Sequence, residues 1–121
     1  MSKKVLVVDD SATVRQQLKV ALTPAGFDIE EAFDGQDGLE KIKATASTLS
    51  VVICDVNMPR MNGIEMLEAL QGEGINVPVV MLTTEGQPAL IRRAKAAGAK
   101  GWIVKPFKAN LLIRAMKKLA Q

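Results

Sequence analysis

Five short apolar runs, each followed by a stretch of helical periodicity, constrain this 121-residue chain more than any other feature. The runs are Val5–Val8, Phe27–Phe33, Val51–Cys54, Val77–Leu82 and Trp102–Val104. The first, third and fourth are continuous and rich in Val, Ile or Leu, as strands buried on both faces require. The second, FDIEEAF, alternates, and the fifth is short; both suit sheet edges. Between them, apolar residues recur at helical spacing: Val14, Leu18, Ala21 and Leu22; then Leu39, Ile42 and Ala46; then Ile64, Leu67 and Leu70; finally Leu112, Met116 and Leu119. Ser11 stands where a helix cap is needed, Asp34 precedes the helical stretch GQDGLEKIKATA, Pro88 lies near a helix start, and Gly26 and Gly98 just past helix ends. The pattern predicts one α/β domain, residues 1–121, built as a doubly wound (βα)₅ unit around a five-stranded parallel sheet.

Composition narrows the chemistry. With 48% hydrophobic residues the chain can bury a core, and no apolar run reaches the roughly 20 residues that cross a bilayer. The N-terminal MSKKVLVVDD lacks the long apolar stretch of a signal peptide, so a cytoplasmic location is expected. The chain has no histidine and a single cysteine, Cys54. Histidine-based triads, cysteine-rich metal sites and internal disulfides are thereby excluded, and any metal must be held mainly by oxygen. Cys54 itself lies in an apolar run and reads as a buried structural thiol.

The net charge of +3 is unevenly spread. All 13 acids and seven of the Lys and Arg residues precede position 86; the other nine basic residues follow it without an acid. Solvated helix faces account for such a segment, and so does a docking face for an acidic partner. Nucleic acid is disfavoured because no aromatic residues interleave the charges.

Ligands of open parallel sheets bind outside the carboxyl ends of the strands. Asp9 and Asp10 follow the first run, Asp55 the third, Thr83 and Thr84 the fourth, and Lys105 the fifth. Carboxylates crowded at one edge repel unless a cation or a proton relieves them. With oxygen ligands alone, Mg²⁺ is the apt ion. Asp9 and Asp10 read as a metal-holding pair. Asp55 stands alone, suited to attack a phosphoryl group whose oxygens a metal, Lys105 and a threonine hydroxyl would engage.

The segments VLVVDDS, VVICDVNMPRMNG, VVMLTT and GAKGWIVKPF, in this order and spanning essentially the whole chain, resemble the receiver domains of two-component response regulators, above all the stand-alone chemotaxis type. The resemblance implies a flavodoxin-like strand order 2-1-3-4-5 and a Mg²⁺-dependent signalling protein, not a turnover enzyme, which catalyses its own phosphorylation and dephosphorylation. It implies that Asp55 accepts the phosphoryl group. Asp10 would be the direct acidic Mg²⁺ ligand, Asp9 would act through water, and Asn57 would contribute its backbone carbonyl. Thr83 matches the switch hydroxyl, Lys105 the salt-bridging lysine, and Lys105–Pro106 a cis peptide. Met58, Pro59 and Gly63 match the loop after the phosphorylation site.

Three positions depart from or modulate the pattern. Trp102 takes the aromatic switch position, where Tyr or Phe is more usual, and its ring either switches or merely covers the edge strand. Thr84 stands where a small residue is common and narrows access to Asp55. Glu85 and Asn57 match variable positions of fast self-dephosphorylating regulators.

The partners implied are a histidine kinase of the CheA type upstream and the flagellar motor switch downstream. The alternative is a phosphorelay with a histidine phosphotransfer protein. A monomer without membrane or nucleic-acid contacts and without an output domain is expected. Other proteins on this architecture fit less well. A flavodoxin needs a Ser/Thr/Gly-rich phosphate loop where DDSATVR stands. An aspartate-nucleophile phosphatase wants an acid two residues after the nucleophile, where Asn57 stands.

Overall fold

The computed structural model describes residues 3–120. Its five strands are β1 (Lys3–Val8), β2 (Phe27–Ala32), β3 (Leu49–Cys54), β4 (Val79–Thr83) and β5 (Gly101–Val104). They form one parallel sheet in the order β2-β1-β3-β4-β5. The helices are α1 (Ala12–Leu22), α2 (Gly35–Thr45), α3 (Gly63–Gly72), α4 (Pro88–Ala96) and α5 (Ala109–Leu119). The expected architecture, strand order and edge strands are all present.

Successive strand residues point to opposite faces, and the apolar runs therefore feed two cores. Val5, Val7, Val51, Ile53, Val80 and Leu82 pack with Leu18 and Leu22 of α1 and Leu112 and Met116 of α5. Leu6, Val8, Val52, Cys54, Val79 and Met81 pack on the other face, with Leu39 and Ile42 of α2, Ile64 and Leu67 of α3, and Ala94 of α4. This is why the stretches Val5–Val8, Val51–Cys54 and Val79–Leu82 carry no charged or hydroxyl side chain on either face.

Boundaries differ from the sequence expectation in local ways. Residues 77 and 78 precede β4, which begins at Val79 and runs through Thr83, so Thr83 ends the strand and does not open the loop. A short 3-10 turn, Thr23–Ala25, separates α1 from Gly26, whose φ of 98° closes that turn. Phe33 lies outside β2 and is 54% exposed, because the chain turns there into the Asp34 cap of α2.

Register places the site. Val8 pairs with Cys54, Cys54 with Met81, and Thr83 with Val104. The residues that follow these strand ends share one edge. The chain leaves β1 for β2 on one side and then crosses to β3 on the other, so the topological switch lies between β1 and β3.

Candidate functional site

The residues flanking that switch point are acidic. Asp9 follows β1 and Asp55 follows β3, and their backbones are locked to the sheet: the Asp9 N–H donates to Ala32 at 3.1 Å, and the Asp55 N–H donates to Val8 at 3.0 Å. Asp9 is 2% exposed and Asp55 8%, whereas Asp10 is exposed. Carboxylate oxygens of Asp9, Asp10 and Asp55 all lie within 4.8 Å of one another.

Each buried carboxylate has specific partners. Asp9 accepts from the Ser11 N–H at 2.9 Å, at the N-terminal end of α1. Asp55 accepts from the Val56 N–H at 2.7 Å. Lys105 reaches over from the end of β5 and donates from Nζ to Asp9 Oδ2 at 2.9 Å and to Asp55 Oδ2 at 3.1 Å. Burial pushes the Asp9 carboxyl above its ordinary value, against the opposing pull of Ser11 and Lys105. Burial acts to lower Lys105, but the Asp9 and Asp55 carboxylates outweigh it and hold the ammonium above its ordinary value. The Cys54 thiol beneath Asp55 is fully buried and is pushed up by burial, which keeps it an inert core group.

One ammonium against three carboxylates leaves the cluster two negative charges in excess. Hard oxygen donors at this spacing suit a small divalent cation and offer nothing soft. The arrangement thus fits the metal expected from the sequence, with Asp9, Asp10 and Asp55 as candidate ligands.

The remaining expected residues ring this cluster. Thr83 is fully buried, and its Oγ1 accepts from the Glu85 N–H at 3.2 Å. The Lys105 N–H donates to the Thr83 carbonyl at 2.8 Å, which couples β4 to the Lys105–Pro106 junction, and that peptide bond is cis. Thr84 is exposed. Asn57 and Glu85 meet directly: Asn57 Nδ2 donates to Glu85 Oε1 at 2.7 Å. Trp102 is half-buried; its ring packs against the α2–α3–α4 side of the core, and its indole N–H donates to the Glu85 carbonyl at 2.9 Å.

Close approach at the loop after β3 explains its glycine. The Gly63 N–H donates to Val56 at 2.9 Å, and a β-carbon on Gly63 would lie 2.0 Å from the Asp55 carbonyl oxygen. Any side chain there would push Asp55 out of place. Asn62 adds a reciprocal cap with Glu65 at the start of α3.

Sequence reasoning missed two arginines. Arg15 donates from Nη1 to the Asp9 carbonyl at 2.6 Å and from Nε to Glu31 at 3.0 Å. Arg60 donates from Nε to Asp34 at 2.7 Å. An arginine in a helix and one in a loop carry no sequence signature of such roles. The Asp34–Gly35 pair opening a helix was the only available hint.

Comparison with known proteins agrees with this geometry. Residues 5–117 match the response regulator receiver domain family. The chain is 36% identical to the chemotaxis protein CheY of Thermotoga maritima over 122 residues, covering all of both chains. Among solved structures it resembles the chemotaxis response regulator CheY4 of Vibrio cholerae, with 39% identity, a TM-score of 0.88, and coverage of 98% of this chain and 99% of that one. It also resembles a complex of CheX and CheY with BeF3 and Mg²⁺ from Borrelia burgdorferi, with 33% identity, a TM-score of 0.89, and coverage of 98% and 90%. The acidic switch point, the bridging Lys105 and the family match together make this chain a response regulator receiver domain.

Proposed function

We propose that this receiver is a chemotaxis response regulator whose Asp55 accepts a phosphoryl group from a histidine kinase. The observation that carries the reading is Lys105, whose ammonium joins Asp55 to Asp9 at the strand-end edge. The CheY proteins it resembles support the chemotaxis assignment.

In the transfer, a carboxylate oxygen of Asp55 attacks phosphorus. The bond from phosphorus to the donor nitrogen breaks, a phosphorus–oxygen bond forms, and the imidazole departs with its electron pair. The product is an acyl phosphate on Asp55. Asp10, Asp55 and the Asn57 carbonyl, with Asp9 through water, would hold Mg²⁺, which when bound would supply positive charge for the phosphoryl oxygens. Lys105 keeps one carboxylate oxygen of Asp55 oriented and then pairs with the added negative charge. The Thr83 hydroxyl, whose oxygen accepts from the Glu85 N–H, donates its own proton to a phosphoryl oxygen. Thr84 stands at the entrance to Asp55, and hydrolysis of the acyl phosphate, tuned by Asn57 and Glu85, resets the protein.

The output is a change in affinity for a partner protein. Trp102 and the basic segment after residue 86 form the responding face, suited to an acidic surface such as a flagellar motor switch component. The protein works in the cytoplasm as a monomer. Phosphotransfer from purified histidine kinases, CheA-like ones first, tests the reading: rapid transfer to the wild type and none to Asp55→Asn is expected. Onward transfer to a histidine phosphotransfer protein would instead assign it to a phosphorelay.

A further inference from the structure

The loop between β3 and α3 carries Asn57, and something must fix where its carbonyl points. One end is pinned by the Gly63 N–H on Val56. The other end is pinned from an unexpected direction, the start of α2. Asp34 is 2% exposed and caps α2 by accepting from the Asp37 N–H at 2.8 Å. The same carboxylate receives a fork from Arg60, with Nε on Oδ2 at 2.7 Å and Nη2 on Oδ1 at 3.3 Å. One residue along on each side, the Gly35 N–H donates to the Met61 carbonyl at 3.0 Å. A β-carbon at Gly35 would lie 2.2 Å from that oxygen, so only glycine permits the backbone tie.

Arg60 carries a cost in making this contact. Its φ is 65°, and among the described residues it is the only non-glycine in the left-handed region. That conformation is disfavoured for a residue with a β-carbon, and it persists where surrounding contacts over-determine it. The fork to Asp34 is the contact that does so. Asp34 lies two residues beyond Ala32, whose carbonyl accepts from the Asp9 N–H. The clamp therefore links the segment bonded to Asp9 with the loop that carries Asn57.

We propose that Asp34 and Arg60 are positioning residues for the cation site, holding the Asn57 carbonyl in register with Asp9 and Asp10. This rests on the reading that Asp10 and the Asn57 carbonyl bind Mg²⁺. The guanidinium itself touches no candidate ligand; it acts through three residues of loop backbone.

Calorimetric titration of the unphosphorylated protein with Mg²⁺ alone tests it, on the wild type, Arg60→Ala, Arg60→Gly and Asp10→Asn. Arg60 is exposed and glycine tolerates its backbone conformation, so Arg60→Gly folds. Circular dichroism and thermal melting check this for both Arg60 variants. The Mg²⁺ dissociation constant is expected to rise about 10-fold in both, as when groups that orient a ligand are lost. Arg60→Gly should do so with a melting temperature close to wild type. Wild-type Mg²⁺ affinity in both Arg60 variants, with binding lost in Asp10→Asn, overturns the clamp and leaves the cation site standing. Wild-type affinity in Asp10→Asn overturns the cation-site reading and the clamp with it.

Discussion

The Trp102 indole donates its N–H to the backbone carbonyl of Glu85 at 2.9 Å, while the Glu85 carboxylate receives Asn57 Nδ2 at 2.7 Å. One residue thus touches both the loop of the candidate cation site and the aromatic ring on β5. Mg²⁺ added to the unphosphorylated protein should therefore shift Trp102 fluorescence, and Asn57→Ala should blunt the shift. An undiminished shift in Asn57→Ala would show that the ring senses the site by another route. Trp102→Phe, which keeps a ring and deletes the donor, should cost about 1 kcal/mol in urea unfolding.

Lys105 is the countercharge between Asp9 and Asp55. Lys105→Met leaves two largely buried carboxylates facing each other. Stability in metal-free buffer should fall by about 3 kcal/mol, the lower end of the cost of removing one partner from a buried ion pair. Mg²⁺ should recover part of that loss, measured as unfolding free energy with and without the ion.

Asp10 has the opposite sign. It is exposed, and its carboxylate adds repulsion to a cluster whose oxygens lie within 4.8 Å. Asp10→Asn should raise metal-free stability by about 1 kcal/mol, given partial solvent screening. It should also abolish the stabilisation by Mg²⁺, which at 100 times the dissociation constant is about 2.7 kcal/mol in the wild type. Thermal melts across a Mg²⁺ series measure both.

The Arg60 guanidinium beside Asp34 holds that carboxyl below its ordinary value of 3.8, helped by the Asp37 N–H. A carboxyl lowered on folding contributes stability above its unfolded pKa and loses it as pH falls through the lower folded value. Arg60→Ala lacks the arginine's part of this contribution. The stability gap between wild type and Arg60→Ala should be present near neutrality and shrink as the pH is taken below 3.8. Arg60 is solvent-exposed, so high salt should narrow the gap too.

Much of the fold was legible because buried parallel strands must be apolar on both faces, and the runs ending at Val8, Cys54 and Leu82 could be little else. The site was legible because parallel topology brings strand ends to one edge, so Asp9, Asp10, Asp55 and Lys105 group together from their places in the sequence. What stayed hidden depends on loop conformation. Nothing in MPRMNG announces that Arg60 adopts a left-handed backbone or reaches Asp34, 26 residues earlier. The Asn57–Glu85–Trp102 contacts likewise join three loop and edge positions whose spacing follows no period.

Phosphoryl acceptance at Asp55 is the central claim, and labelling with acetyl phosphate and Mg²⁺, read by intact-protein mass spectrometry, tests it most directly. The wild type should gain the mass of one phosphoryl group, lost on adding chelator and hydroxylamine, while Asp55→Asn stays unlabelled. Equal labelling of Asp55→Asn, or none of a folded wild type at saturating Mg²⁺, would contradict the account.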